Sequence, residues 1–311
     1  MASSGPAILI VQPHLAMLGS FLEPNFTVWR LWEGPPVEAE GAIEALVVAG
    51  EFPVDKSLAE RLPRLGLIAC FTTGYDGVDL TWAKGRGLKV THSPGVNHED
   101  VADHALGLMI GAWRRIGDGD RQVRAGEWRA GDKMLTPTLA GRKVGIVGLG
   151  DIGAAIARRC AAFALETSWW GPREKPNAPW PRADSLKTLA AWSDILVIAC
   201  RATEENRGLI DVDVIDALGP DGLLVNVARG QVVNEDALIA ALKSGRLGWA
   251  ALDVFAKEPT PADRWAGVPN TLLTPHTAGA TTAAVPRMIA LTAETLRRHF
   301  AGEPLENLVG E

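Results

Sequence analysis

Three charged side chains stand where an α/β protein would meet a ligand. Arg229 follows the apolar run LLVNVA (223–228), Glu258 follows WAALDV (249–254), and His276 follows NTLLTP (270–275). Open α/β sheets bind ligands outside the carboxyl ends of their strands. A guanidinium at such an end can hold a carboxylate and a neighbouring carbonyl oxygen with its planar fork of donors. An imidazole there can give up a proton near neutral pH. Each residue alone reads as ordinary: a solvated turn arginine, a loop histidine. Three charged groups at three consecutive strand ends demand a joint explanation. Asp253 lies inside the strand itself, and a carboxylate within an apolar strand needs a partner.

The elements that position these groups follow from hydrophobic pattern. AILIV (7–11), VWRLW (28–32), ALVVAG (45–50), LGLIAC (65–70) and LKVTHS (88–93) read as short strands separated by helix-length segments. A second series reads VGIVG (144–148), ETSWW (166–170), DILVIA (194–199) and the three strands named above. Between the series, residues 99–116 carry apolar side chains at helical spacing, with Asn97 able to cap the start. Helices are also expected over 154–163, over 234–245 with Asn234 as its cap, and over about 282–300. The alternation predicts an α/β protein of two Rossmann-like domains with parallel sheets. The last helix follows the second series, and crossing back would make the first domain discontinuous.

Gly148, Gly150 and Gly153 of GLGDIG follow the strand VGIV and open the helix AAIARR. In that context the motif reads as a dinucleotide loop. The first glycine permits a tight turn, the second lets a pyrophosphate approach, and the third lets helix and strand pack. The helix start offers amides and the positive end of a dipole to phosphate. Versions that bind NAD carry an acid at the end of the next strand, on the ribose 2′-hydroxyl. Here that place holds Gly171, Pro172 and Arg173, with Lys175 nearby. Glycine leaves room for a 2′-phosphate and arginine can pair with it, which points to NADP(H), with NAD(H) as the alternative. In that alternative Arg173 is a loop charge and Glu174 takes the acid's role.

A chain of 311 residues is long enough for two domains, and a net charge of −6 gives no support to a nucleic-acid or membrane surface. Cys70, Cys160 and Cys200 stand far apart, without metal spacing, and read as buried thiols. No apolar run reaches the roughly 18 residues of a membrane span, and the start MASSGPAILIVQP lacks the basic region of a signal peptide. These features favour the cytoplasm.

Taken together, GLGDIG, VNVARGQVVNEDAL, ALDVFAKEP and TPHTAGAT occur in one order after TTGYDGVDL (72–80) and HSPGVNHEDVADHALGLM (92–109). This series resembles the D-isomer-specific 2-hydroxyacid dehydrogenases over almost the whole chain, and within them the glyoxylate/hydroxypyruvate and hydroxyphenylpyruvate reductase branch. The resemblance implies a substrate domain of residues 1–98 and 282–311, with an inserted coenzyme domain of residues 99–281. It implies reduction of a 2-keto acid. Arg229 would bind the substrate carboxylate and polarise the ketone, with the amides of Thr73 and Gly74 holding the carboxylate from the other domain. His276 would donate the proton, and Glu258 would favour the charged imidazolium and raise its pKa. Cofactor contacts are implied at Leu149, Asp151, Ile152, Cys200, Arg201, Val227, Ala228, Gly279, His276 and, near the nicotinamide carboxamide, Asp253. Asp253 could equally be structural. ACRATEENRGLI (199–210) carries Arg201 where many relatives have a CPLT-like segment, so Arg201 is a second candidate for the 2′-phosphate.

Met134 and Leu135 match a region that, in relatives, approaches the substrate from a partner subunit, and Trp265 is a further candidate for the pocket lining. Family members pair through their coenzyme domains, so a homodimer is expected. One alternative is an NAD-dependent dehydrogenase of other substrate range, such as aromatic pyruvates. Another, from a different class, is a non-catalytic dinucleotide-sensing scaffold. Such scaffolds carry extended tails, and this chain runs only a few residues past its last helix. Loss of activity is disfavoured by the intact Arg229, Glu258 and His276.

Overall fold

The computed structural model describes residues 5–35 and 37–310. Residues 1–4 of the start MASSGPAILIVQP lie outside the described residues. The rest divides into two compact units: one holds the chain up to Asn97 and from Thr281 onward, the other is His98–Ala280.

The first unit is built on five parallel strands: β1 (Ala7–Ile10), β2 (Thr27–Arg30), β3 (Ile43–Val48), β4 (Leu67–Cys70) and β5 (Lys89–Thr91). Their order is β2-β1-β3-β4-β5. Side chains alternate across the sheet, as the strand period of two requires. Ile8, Ile10, Val47 and Ala69 share one core with Met288 and Leu296 of the helix Ala284–Ala301. Leu9, Leu46, Val48 and Ile68 face the other core with Leu58, Leu62 and Val90. A sheet covered on both faces explains why β1 and β4 read as unbroken apolar runs rather than alternating ones.

VWRLW departs from the expected strand. Only Thr27–Arg30 is extended, and Leu31–Glu33 winds into a 3-10 turn closed by Gly34 at φ 67°. β2 is an edge strand and none of its residues is fully buried, so its apolar pattern does not carry the chain further along the sheet.

The second unit has six parallel strands: β6 (Lys143–Val147), β7 (Glu166–Trp170), β8 (Ile195–Ile198), β9 (Leu223–Asn226), β10 (Trp249–Leu252) and β11 (Thr271–Leu273). Their order is β11-β10-β9-β8-β6-β7. The chain therefore leaves β6 towards one side and returns to its other side at β8. That reversal leaves a crevice at the carboxyl ends of β6 and β8, the place where such sheets take ligands.

The helix expected over 99–116 runs His98–Trp113 and then breaks. Arg115 adopts φ 51°, its guanidinium bonds Asp118 at 2.8 Å, and a second helix runs Ile116–Arg124. Asn97 Oδ1 lies 3.0 Å from the Thr73 hydroxyl, the longer of two acceptors for its one proton. Glu99, in the first turn, takes ion pairs from Arg158 and Arg159, both at 2.6 Å. Asn234 accepts from the Ala237 amide and Gly245 ends that helix at φ 73°, as expected.

Candidate active site

The glycine loop shows a separate reason for each glycine. Gly148 has φ 93°, and a Cβ on it would lie 2.5 Å from Cys200 Cα. A Cβ on Gly153 would run into the Gly148 carbonyl oxygen. Both glycines are required by the protein's own packing. Gly150 is different: its φ is −79°, and nothing lies within 4 Å of a Cβ built there. The fold does not need glycine at this position, and the open space lies before the start of the helix Asp151–Ala162. This space fits the pyrophosphate of a dinucleotide. Leu149 is buried below it, Asp151 and Ile152 open the helix, and Cys200 is half-buried across the crevice. Burial pushes the Cys200 thiol up to about 11, so it stays protonated and acts as wall rather than nucleophile.

Beyond β7 the chain folds back along the strand. The Trp169 amide donates to Pro181 O at 3.0 Å, and the Ala183 amide donates to Trp169 O at 2.8 Å. Arg182 donates to Gly171 O at 2.8 Å and lies over the Trp169 ring. Glu174 is largely exposed, 4.0 Å from Arg182. Lys175 donates to Leu149 O and so ties this segment to the glycine loop. Pro172 and Arg173 are exposed, and among the described residues Arg173 has no acidic partner. Arg201 is exposed after β8.

The three charged groups are brought together by backbone crossing. After β9, Asn226, 1% exposed, accepts from the Ala228 amide and donates to Arg229 O. This closes a turn in which Val227 and Ala228 are buried and Arg229 bonds Ala228 O at 2.8 Å. A Cβ on Gly230 would overlap the Phe255 backbone, so only glycine lets the β9 and β10 loops cross there. Glu258 accepts from the Phe255 amide at 2.9 Å through Oε1, and its Oε2 lies 2.6 Å from His276 Nδ1. Burial pushes the Glu258 carboxyl up. Hydrogen bonds from His276 and Phe255, with the charges of His276 and Arg229, outweigh that and hold it below the usual value.

His276 has φ 53°, a left-handed conformation that costs a non-glycine residue about 1–3 kcal/mol. Asp253 holds the turn in that shape. Its carboxylate accepts from the Thr277 amide at 2.9 Å, the Ala278 amide at 3.0 Å and the Thr274 hydroxyl at 2.6 Å. Its carbonyl takes the His276 amide at 2.8 Å. His104, on the helix His98–Trp113, places Nε2 3.0 Å from Thr274 Oγ1 and 3.4 Å from Asp253 Oδ1. Asp253 is 1% exposed, and its carboxylate contacts brace the turn that carries His276. Gly279 follows in the same turn. His104 was missed from sequence because it looks like any polar position on a helix, and its partner Thr274 lies 170 residues away.

Trp265 is not a lining residue. It is 7% exposed and packs edge-on against Phe255 in the core. Met134 and Leu135 lie on the arm after the helix Ile116–Arg124. Met134 borders a groove of about 780 Å³ with Arg115, Asp118 and Arg121, and Leu135 is exposed. In the first unit Thr73 and Gly74 follow β4. The Thr73 hydroxyl donates to Ser93 O at 2.8 Å. Among the described residues no acceptor engages the Thr73 and Gly74 amides.

Comparison with known proteins places this geometry. Residues 106–278 match the family model described as D-isomer specific 2-hydroxyacid dehydrogenase, NAD binding domain. The chain is 40% identical to a hydroxyphenylpyruvate reductase of Plectranthus scutellarioides, with 96% of this chain and 97% of that one covered. It is 39% identical to a glyoxylate/hydroxypyruvate reductase of Arabidopsis thaliana, with 96% and 97% covered. An NADPH-dependent glyoxylate/hydroxypyruvate reductase of Sinorhizobium meliloti, solved with NADP, superposes with a TM-score of 0.91 at 32% identity, covering 99% of this chain and 97% of that one.

Proposed function

Because the chain belongs to the D-isomer specific 2-hydroxyacid dehydrogenase family, we propose that it is an NADPH-preferring reductase of small 2-keto acids, glyoxylate and hydroxypyruvate first among them. The observation that carries this reading is the convergence of Arg229, Glu258 and His276 at the carboxyl ends of β9, β10 and β11.

Residues 148–153 would hold the pyrophosphate, and Arg173 the 2′-phosphate, with Arg201 as a second contact. Glycine at 171 and the lack of an acidic partner for Arg173 support NADPH, and Glu174 beside Arg182 stands against the NAD alternative. When bound, the nicotinamide supplies the hydride. Arg229 binds the substrate carboxylate and draws electron density onto the ketone oxygen. Thr73 and Gly74 are further candidates for substrate binding through their amides. His276 donates the proton from Nε2 to the oxygen that becomes the hydroxyl. Glu258 on Nδ1 keeps the ring oriented and favours its charged form, and Asp253 with His104 holds the turn that aims it.

The family's pairing through coenzyme domains is proposed here as well, and Met134 would then serve the partner's site. Exposed Ile116, Val123, Trp128 and Leu135 on and after the second helix support a homodimer. No helix among the described residues is long and apolar enough to cross a membrane. A cytoplasmic setting is supported by three cysteines that stay free.

The test is steady-state reduction of glyoxylate, hydroxypyruvate and phenylpyruvate with NADPH and NADH side by side. NADPH is expected to be preferred, and Arg173→Ser to cut the NADPH/NADH ratio of kcat/KM about tenfold. Equal use of both cofactors by the native enzyme would overturn the role given to Arg173. Turnover of none of the acids would overturn the reductase reading.

A further inference from the structure

The segment after β7 leaves the second sheet and returns to the same strand. β7 is an edge strand, and Trp169 within it forms a parallel bridge with Arg182. The Ser168 hydroxyl donates to Pro181 O at 3.0 Å, and Trp169 Nε1 donates to Trp180 O at 3.1 Å. Residues 171–179 are therefore a loop with both ends fixed to one strand. Pro172, Pro176, Pro179 and Pro181 stand in or beside it, each with a locked φ. The Ala178 amide donates to Lys175 O at 3.0 Å, and Lys175 itself bonds Leu149 O.

One position in this stiff loop is loose by composition. Gly171 stands at the strand end, two residues before Arg173, and glycine has the widest backbone freedom of any residue. Rotation there would swing the Arg173 guanidinium. Gly171 is buried, so its carbonyl needs a partner. Arg182 supplies it, donating from Nη2 at 2.8 Å. Arg182 is fixed in turn, because its backbone is held in the bridge and its guanidinium lies 5.7 Å from the centroid of the buried Trp169 ring. Its Nη1 is 4.0 Å from Glu174, the one carboxylate of the loop. That pair is exposed and weak, so the grip on Gly171 is the contact that matters. Arg173 thus sits between two anchors, Gly171 on Arg182 and Lys175 on Leu149.

We propose that Arg182 is a positioning residue for cofactor choice: by holding the Gly171 carbonyl it presets the backbone that carries Arg173, and so favours a dinucleotide with a 2′-phosphate. This rests on the reading of Arg173 as the 2′-phosphate contact. A guanidinium already in place loses less freedom when the phosphate arrives, and preorganisation of this kind appears as affinity. A dinucleotide with a bare 2′-hydroxyl does not use Arg173 and gains nothing from its placement.

The experiment measures Kd for NADP+ and NAD+ by titration calorimetry in the native protein, Arg182→Met and Arg182→Lys, and again with Arg173→Ser in each background. Arg182→Met is expected to weaken NADP+ about fivefold and to leave NAD+ within about twofold. Arg182→Lys keeps a donor without the planar fork and is expected to lose less, about twofold. With Arg173→Ser already present, Arg182→Met is expected to change NADP+ by less than about twofold, because the two residues act as one unit. Equal weakening of both dinucleotides would overturn the proposal, since it marks a residue that only braces the loop. Unchanged NADP+ affinity in Arg182→Met, or a full fivefold loss on top of Arg173→Ser, would overturn it as well. Native protein that binds NADP+ no more tightly than NAD+ would overturn the Arg173 reading itself, whereas a preference lost in Arg173→Ser but kept in Arg182→Met would overturn this proposal alone.

Discussion

The two sheets share a strand order and differ in their loops. In each, the first strand lies between the second and the third, followed by the fourth and fifth. After β6 the chain turns through Gly148 and Gly150 into the twelve-residue helix Asp151–Ala162. After β1, at the same place in the topology, it runs through Gln12 into a 3-10 turn, Pro13–Leu18, with proline at its start. One loop presents helix amides with open space before them, and the other has no close-approach glycine. The fourth strands differ in the same manner: β4 leads to the Thr73 and Gly74 amides, and β9 to a guanidinium. Strand order decides where ligands can sit, and the loop residues decide which ligands do.

Breaking the chemistry of the second unit while leaving its fold alone gives the largest effect. His276→Asn keeps a residue that tolerates the left-handed φ of 53°, so the turn survives. Without a proton donor, kcat for keto acid reduction is expected to fall about 10³-fold with little change in melting temperature. Loss of fold and activity together would show that His276 braces the turn rather than serving the reaction.

The glycine loop sharpens the comparison next. Gly148→Ala meets Cys200 at an unfavourable φ, so it should lower the melting temperature and weaken NADPH binding together. Gly150→Ala meets nothing within 4 Å, so it should leave the apoprotein melt unchanged and weaken NADPH about tenfold. Thermal melts with and without NADPH separate the two. Equal behaviour of the two variants would dissolve the distinction between a glycine the fold needs and one the cofactor needs.

The smallest effect concerns pH. The folded Glu258 carboxyl lies below its ordinary value of 4.5, so its contacts stabilise the fold above the unfolded value and are lost as pH falls through the folded one. Melts of the native protein and Glu258→Gln should therefore differ at neutral pH and converge in acid below 4.5. A constant difference across that range would show that the carboxyl is not ionised where it matters.

Much of this was legible from residues whose reasons are local. Gly148, Gly150 and Gly153 announce themselves by spacing after an apolar strand, and Asn234 with Gly245 brackets a helix by its caps. The strands of both sheets read as apolar runs because both faces are covered. What stayed hidden depends on distant partners. Nothing near His104 in sequence points to Thr274 or Asp253. Lys175 reads as a spare phosphate ligand, yet it is committed to Leu149 O. Arg115 breaks a helix whose apolar spacing continues, because Asp118 captures its guanidinium in a left-handed turn. Trp265 looked free to line a pocket and is claimed by Phe255.

The helix Ala284–Ala301 completes the core of the sheet with which the chain begins. During synthesis, residues 98–280 form a continuous unit that leaves the ribosome before this helix does. The inserted unit can close its core first, while β1, β3 and β4 wait with one face uncovered for Met288 and Leu296. Translation order therefore separates the two cores in time: the unit with the glycine loop can mature early, and the unit holding Thr73 and Gly74 is finished last.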